Sequence, residues 1–307
     1  MHIDKKILYQ FEQGLDPQNV DQSVIPADII GFGEISSIFK IGDDNEIAYK
    51  RMPLFSDRLS AEKYEKQYHE YCGLLGKAGI NLPEHETIII EVPKRPITLY
   101  IAQKMLPSDR LGHRLIHQLE NNDFGNIVEK IISDIVKVWH FNTSEMPEIE
   151  LAIDGQLSNW VWMDEKGRNN LYFIDTSTPL YRKDGIEQID PELILQSAPG
   201  FLRWIIRWLF LDDVLNRYYD PRLVYTDFVA NLFKEQRPDL IPACMDIINK
   251  YLSDEKGPLT FKEVEKYYKE DKLIWMLFLA FRRIDRWLTT KIFRKRYEFI
   301  LPGKIKR

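Results

Sequence analysis

Before residue 107 the apolar side chains of this chain come in short alternating runs broken by Gly, Asp, Asn and Pro. After Leu106-Pro107 they recur every three or four positions. Strict alternation suits a half-buried strand, and the longer period suits a helix buried along one face. A chain divided in this way segregates its sheet from its helices, which predicts an α+β fold. At 307 residues it also exceeds the usual size of a single core. Two lobes are therefore expected, residues 1–106 built on a sheet and residues 107–307 mostly helical.

Within the first lobe, "SVIPADIIGFGEISSIFKIGDDNEIAYKRM" reads as strand, glycine turn, strand, a turn at Asp43-Asp44-Asn45, and strand. A single helix follows, with Ser56 or Asp57 as N-cap, Leu59, Tyr64, Tyr68, Tyr71, Leu74 and Leu75 at helical spacing, and Gly79 as its stop. "TIIIEV" and "ITLYIAQKM" then make a further strand pair, for five strands in all. In the second lobe, Ile127, Ile131, Ile135 and Val138 mark one helix, and from Pro199 onward nearly every segment has helical periodicity. Between these helices lies a strand-loop-strand block from Asp154 to Thr178.

Several residues could carry chemistry. Gly31 and Gly33 sit in a strand-to-strand turn, where the lack of side chains lets backbone N–H groups and the Ser36 hydroxyl approach a phosphate. A hairpin turn explains the same glycines equally simply. No helix follows them, as a dinucleotide-binding fold requires, and there is no Walker A loop. Lys50 lies inside the apolar strand "IAYK", so it must reach solvent, a carboxylate or an anion. Glu62, Glu65 and Glu70 on the following helix are the nearest candidate partners, with Glu70 favoured by position. Asp154 and Asn159 stand five apart in a Gly/Ser-containing loop, where turn-forming and capping are the ordinary roles of both residue types.

Taken together, the glycine turn, "IAYK", the helix carrying Glu70, the two strands, a connector and a helical lobe resemble the protein-kinase-like superfamily. "HEYCGLLGKAGINLP" is closest to its aminoglycoside phosphotransferase and choline kinase branch, and the likeness spans roughly residues 24–180. The resemblance implies a bilobal fold and a phosphotransferase that uses ATP and Mg²⁺ on the hydroxyl of a small molecule. By the same likeness, Gly31, Gly33 and Ser36 would cover the phosphates, and Lys50 would contact them while paired with Glu70. The connector Gln103, Lys104, Met105 and Leu106 would meet the base. Asp154 would accept the hydroxyl proton, and Asn159 and Asp175 would hold the metal. The chain departs from the pattern in having Ala152-Ile153 before Asp154 and Asp175-Thr176-Ser177 where the family has Asp-Phe-Gly. A nucleotide-sensing or scaffolding pseudokinase is the alternative these departures keep open.

The totals set further bounds. With 44% hydrophobic and 29% charged residues the composition is that of a folded chain. Two distant cysteines, Cys72 and Cys244, form neither a disulfide framework nor a metal motif, and no uninterrupted apolar run resembles a signal or a membrane span. The chain reads as cytoplasmic, and nothing in it calls for nucleic acid. Its net charge of −5 hides ten Lys/Arg between Arg282 and Arg307, set against only Asp285 and Glu298. Self-docking or a solvated face is one reading of that segment, and peripheral contact with an anionic membrane is the other.

Overall fold

Five strands, β1 (Ala27–Phe32), β2 (Ser37–Ile41), β3 (Ile47–Phe55), β4 (His85–Ile90) and β5 (Ile97–Lys104), pair in the order β1-β2-β3-β5-β4. All pairs are antiparallel. They belong to a computed structural model that describes residues 1–33, 35–119, 121–144, 148–165, 168–190, 192–193, 200, 215–252 and 257–303. Alternation along β5 decides which layer each residue joins. Tyr100 and Ala102 enter one core with Phe39 and Tyr49, while Leu99 and Ile101 enter another with Met52 and Phe55. Each face of the sheet therefore needs its own cover.

The inner face is covered by α1 and the other by α2 in separate cores. Helix α1 (Lys5–Gly14) buries Leu8, Phe11 and the following Leu15, and Asp4 caps it by accepting from the amides of Lys6 and Ile7. Sequence reading had assigned one helix to this lobe, so α1 is an addition. Its signals were the Asp4 cap and the 8/11/15 spacing, which a search for an uninterrupted apolar run passes over. Helix α2 (Arg58–Lys77) starts at Asp57, whose carboxylate accepts from Ser60 N at 2.8 Å. It ends where Gly79 takes φ +83° and the Ile80 amide turns back to the Leu75 carbonyl. Tyr64, Tyr68 and Tyr71 are fully buried along one side of α2; side chains of this size contribute roughly 1.5–3 kcal/mol or more each.

Past the short helix α3 (Gly112–Leu115), the helical layer is built from α4 (Asn121–Ser144), α5 (Pro221–Lys234), α6 (Ile241–Ile248) and α7 (Phe261–Trp287). Ile127, Ile131, Ile135 and Val138 of α4 are all buried in its core. Strand β6 (Ile149–Leu151) pairs with β9 (Tyr181–Lys183), which in turn pairs with β10 (Ile186–Glu187). The hairpin β7 (Trp160–Glu165) and β8 (Arg168–Phe173) stands apart from that sheet. The order expected from the sequence, a five-stranded sheet with its long helix followed by a helical layer, is thus present. The segment "FLRWIIRWLFLDDV", read above as helical, lies outside the described residues.

One connection runs against that simple division. After α7 and a π-helical turn (Leu288–Ile292), the chain returns to the sheet as an extended strap, residues 294–303, with Tyr297 and Leu301 buried. Arg51 of β3 holds it. The Arg51 guanidinium, 2% exposed, donates to Glu12 from Nε at 2.7 Å and from Nη2 at 2.6 Å. It also meets the strap through the Glu298 carbonyl at 2.8 Å and the Glu298 carboxylate at 3.1 Å. Tyr100 adds a hydroxyl to Glu12 at 2.5 Å. Burial alone would push the Glu12 carboxyl up, but Arg51 and Tyr100 outweigh it and hold the group below the usual range.

Candidate active site

The loop that carries Asp154 is fixed from several sides. Its entry is set by Ala152, whose amide donates to Leu180 O at 2.9 Å and whose carbonyl accepts from the Tyr71 hydroxyl at 2.9 Å. Gly155 follows, in a gap so tight that a Cβ there would lie 2.8 Å from Ile135 of α4 and 3.1 Å from Val224 of α5. Asn159 Nδ2 then donates back to the Asp154 carbonyl at 3.1 Å, and Gln156 N donates to the Asp154 carboxylate at 3.2 Å. Tyr71 and Leu180 thus fix the backbone two residues before Asp154. Tyr71→Phe is accordingly expected to leave a buried carbonyl without its partner and to lower stability by about 1–2 kcal/mol, read from urea unfolding.

Strand β8 delivers the second element. Ile174 N donates to Asn159 O at 2.9 Å, which registers the Asp175 segment against the Asp154 loop. Asp175 accepts from Ser177 Oγ at 2.8 Å, and Lys50 Nζ stands 3.5 Å away, both on Oδ1. Lys50 is 4% exposed and also donates to the Ile174 carbonyl at 2.6 Å. Its buried ammonium therefore has a carboxylate and a carbonyl, as its place in an apolar strand demands.

The predicted Lys50–Glu70 pair does not form. Glu70 accepts from Tyr181 at 2.9 Å and pairs with Lys183 at 2.6 Å. The cause is helical phase, because Glu70 lies two positions beyond Tyr68 and so points away from the buried side of α2. Glu62 is taken by Arg58 and Glu65 by Thr87, so no carboxylate of α2 reaches the lysine. In its place α2 presents phenols. Tyr64 donates to the Ser177 carbonyl, Thr176 Oγ1 donates to the Tyr68 hydroxyl at 3.3 Å, and Gln103 Nε2 donates to Thr176 at 3.1 Å. Burial pushes all three tyrosine hydroxyls upward, so they stay neutral.

A cavity of about 300 Å³ joins these elements, lined by Phe32, Gly33, Asp154, Asn159 and Asp175 among others. The glycine turn forms its roof, with Gly33 N donating to Ser36 O at 2.9 Å; Glu34 lies outside the described residues. Gly31, Ser36, Lys50, Glu70 and the four connector residues do not line it. Ser36 is buried, and the amides of Lys104 and Met105 are already taken by Glu84 O at 2.8 Å and Glu46 O at 2.6 Å. The cleft is thus built around the predicted base and metal ligands, but the base-reading role assigned to the connector finds no open donor in these two amides.

Sequence reasoning missed the opposite wall. Asn231 and Lys234 of α5, Arg217, and Asp271 and Trp275 of α7 line it. Asp227, Asn231 and Lys234 form a polar stripe at i, i+4 and i+7 in the otherwise apolar "VYTDFVANLFK", which was the available signal. Asn231 is 4% exposed; its Nδ2 donates to Asp227 O at 3.0 Å and its Oδ1 has no partner among the described residues. Burial, then Asp227 and Asp175, push the Asp154 carboxyl up to about 7, against Arg217. Asp227 is raised as well, chiefly by burial. The Asp154 carboxyl therefore carries its proton into the folded state at acid pH and gives it up near neutrality.

The metal ligands expected from the sequence meet a simple chemical test. Asn159 uses its Nδ2 on the loop and its Oδ1 accepts only a long 3.5 Å bond from Ser158 Oγ, which leaves that oxygen a lone pair for a metal, and both contacts of Asp175 fall on Oδ1, which leaves Oδ2. Two hard oxygens at the two ends of the β7–β8 hairpin suit Mg²⁺, which is ordinarily completed by water and substrate phosphates instead of an all-protein cage. Among the described residues no group of three or more His, Cys, Asp or Glu side chains could hold a metal by itself.

With this geometry in place, comparison with known proteins adds the following. The profile described as "Family of unknown function (DUF6206)" matches residues 35–286, well over half of the chain. The chain belongs to that family. No curated protein matches it. Solved structures similar to this DUF6206 chain include the GDP and kanamycin complex of APH(2")-IIia, at 11% identity and a TM-score of 0.34, covering 80% of this chain and 96% of that one. WaaP in complex with acyl carrier protein is similar at 11% identity and 0.34, covering 82% and 100%. WbdD is similar at 12% and 0.33, covering 79% of this chain and 50% of its own. Likeness at this level leaves the chemistry of the DUF6206 site to be read from its own residues.

Proposed function

We propose that this chain transfers the terminal phosphoryl group of Mg-ATP to a hydroxyl of a small molecule. The observation that carries the reading is the convergence of Asp154, Asn159 and Asp175 on one cavity between the sheet and the helices, with Lys50 buried behind it 3.5 Å from Asp175. Phosphoryl transfer asks mainly for positioning and charge stabilisation, and these four side chains supply the parts. Lys50, buried 3.5 Å from Asp175, would supply positive charge to the phosphates. Asn159 Oδ1 and Asp175 would hold Mg²⁺, which when bound neutralises charge on the phosphates. Asp154 orients the acceptor hydroxyl and takes its proton, a task suited to a carboxyl that titrates near neutrality. Asn231 Oδ1, a buried acceptor without a partner on the facing wall, offers a place for an O–H or N–H of the acceptor.

Nucleotide binding without transfer is the second reading. It is favoured by the missing Lys50–carboxylate pair on α2 and by the engaged connector amides. One set of measurements separates the two. The native chain is expected to gain thermal stability with Mg-ATP, and Asp175→Ala is expected to lose that gain. Asp154→Asn should keep it while releasing no ADP with any hydroxyl compound that supports release by the native chain. If Mg-nucleotide stabilises Asp175→Ala as well as the native chain, the metal assignment fails.

A further inference from the structure

Helix α7 has two working faces, and only one belongs to the cavity. Asp271, Trp275, Leu279 and Arg282 line the site. On the other side Leu273, Ile274, Met276, Leu277, Ile284 and Trp287 are 47–57% exposed. Beyond the helix Ile292 and Phe293 are 56% and 63% exposed. At 1.5 Å per residue, the stripe from Leu273 to Phe293 runs for roughly 30 Å. Scattered exposed leucines are ordinary, whereas a continuous apolar stripe of this length marks a contact surface.

Charge identifies what it contacts. In the first half of α7 two lysines are paired, Lys266 with Glu270 at 3.8 Å and Lys269 with Glu265 at 3.0 Å, and four acidic residues, Glu263, Glu265, Glu270 and Asp271, balance its four lysines. Along the second half the balance is lost. Arg283, Lys291, Arg294 and Lys295 are exposed, with Asp285 the single acidic residue between 283 and 295. Among the described residues Lys291, Arg294 and Lys295 form no ion pair. Part of the basic segment does dock on the chain itself, since Arg283 donates to Gly303 O at 3.0 Å and Arg296 pairs with Glu298 at 2.7 Å. The cations that are left flank the apolar stripe.

We infer that the outer face of α7, from Leu273 to Phe293, rests on an anionic lipid bilayer. Large aliphatic side chains and Trp287 enter the interface while the flanking lysines and arginines meet the headgroups, the arrangement of a helix lying in the plane of a membrane. A second copy of the chain fits less well, because a two-fold contact would bring the same cations face to face. No described helix is long and apolar enough to cross a membrane, so the contact is peripheral. The inference does not depend on phosphoryl transfer.

The test is co-sedimentation of the full chain with phosphatidylcholine vesicles, with and without phosphatidylserine. Binding is expected only with phosphatidylserine and should weaken with added salt. Lys291→Glu, Arg294→Glu and Lys295→Glu combined are expected to lower binding by on the order of 100-fold, at about fivefold per cation. Ile284→Ser with Trp287→Ser should lower it separately. Phe293→Ser, in the segment after the helix, repeats the apolar test where folding is least at risk, and unchanged melting temperatures confirm that each variant is folded. Absence of sedimentation with phosphatidylserine overturns the inference, as does binding indifferent to the apolar changes. A dimer dissolved by Ile284→Glu in a chain that ignores vesicles would assign the face to a second copy instead.

Discussion

Glu12→Ala is expected to lower the stability of the chain by about 3–5 kcal/mol, because it leaves the buried Arg51 guanidinium without its main counter-charge. Glu12 and Arg51 are each 2% exposed, and the carboxylate satisfies Arg51 Nε, Arg51 Nη2 and the Tyr100 hydroxyl together. Water cannot replace those contacts without opening the core between α1 and the sheet. The Glu298 carboxylate, at 3.1 Å, remains as partial compensation and sets the lower end of the range. Urea unfolding at neutral pH gives the number, and a loss below about 1 kcal/mol would show that the network is not a structural anchor. Removing both charges is expected to be milder than removing one. Glu12→Leu with Arg51→Met should recover much of the loss, since matched apolar side chains carry no desolvation penalty.

Asp154→Asn is expected to move activity and stability in opposite directions. If Asp154 is the base, turnover falls by roughly 10²–10⁴-fold, the usual contribution of a positioned proton acceptor. Its folded-state carboxyl is raised well above the unfolded value, so the native state holds the proton more tightly than the unfolded chain does. The stabilisation from that proton is complete below about pH 4 and is lost as pH rises through about 7. Above that point the folded chain carries a buried carboxylate facing Asp227 and Asp175. Asparagine avoids this charge. The advantage of the variant over the native chain should therefore be larger at pH 8 than at pH 5, by on the order of 1–3 kcal/mol. Thermal unfolding at the two pH values measures the difference, and equal gains at both would place the raised carboxyl elsewhere.

Much of the fold was legible because local and global signals agree. The Asp57 cap and the Gly79 stop bracket α2, and the alternation around Gly31 and Asp43-Asp44-Asn45 delimits β1 to β3. The link between Asp154, Asn159 and Asp175 was legible for a similar reason, since a hairpin of fixed length connects them. What failed depended on rotation about a helix axis or on chain segments far apart in sequence. Glu70 was chosen by order along α2, yet a residue's order does not say which side of the helix it occupies. The wall of Arg217, Asn231 and Asp271 comes from separate segments, and no short motif joins them. The Arg51 network unites residues 12, 51, 100 and 298, which only the folded chain brings together.

The phenolic side of α2 has a consequence for how this chain could be controlled. In protein kinases a helix-borne carboxylate paired with the strand lysine makes a contact that can be gained or lost, and with it activity. Here the helix grips the Asp175 segment through uncharged hydroxyls and an amide relay, sealed from water. Neither half of such a latch answers to ionic strength or to a nearby phosphate group. The seat of α2 should behave as a permanent fixture, set apart from the roof turn and the strap-borne Pro302, which line the cavity without any bond to this latch.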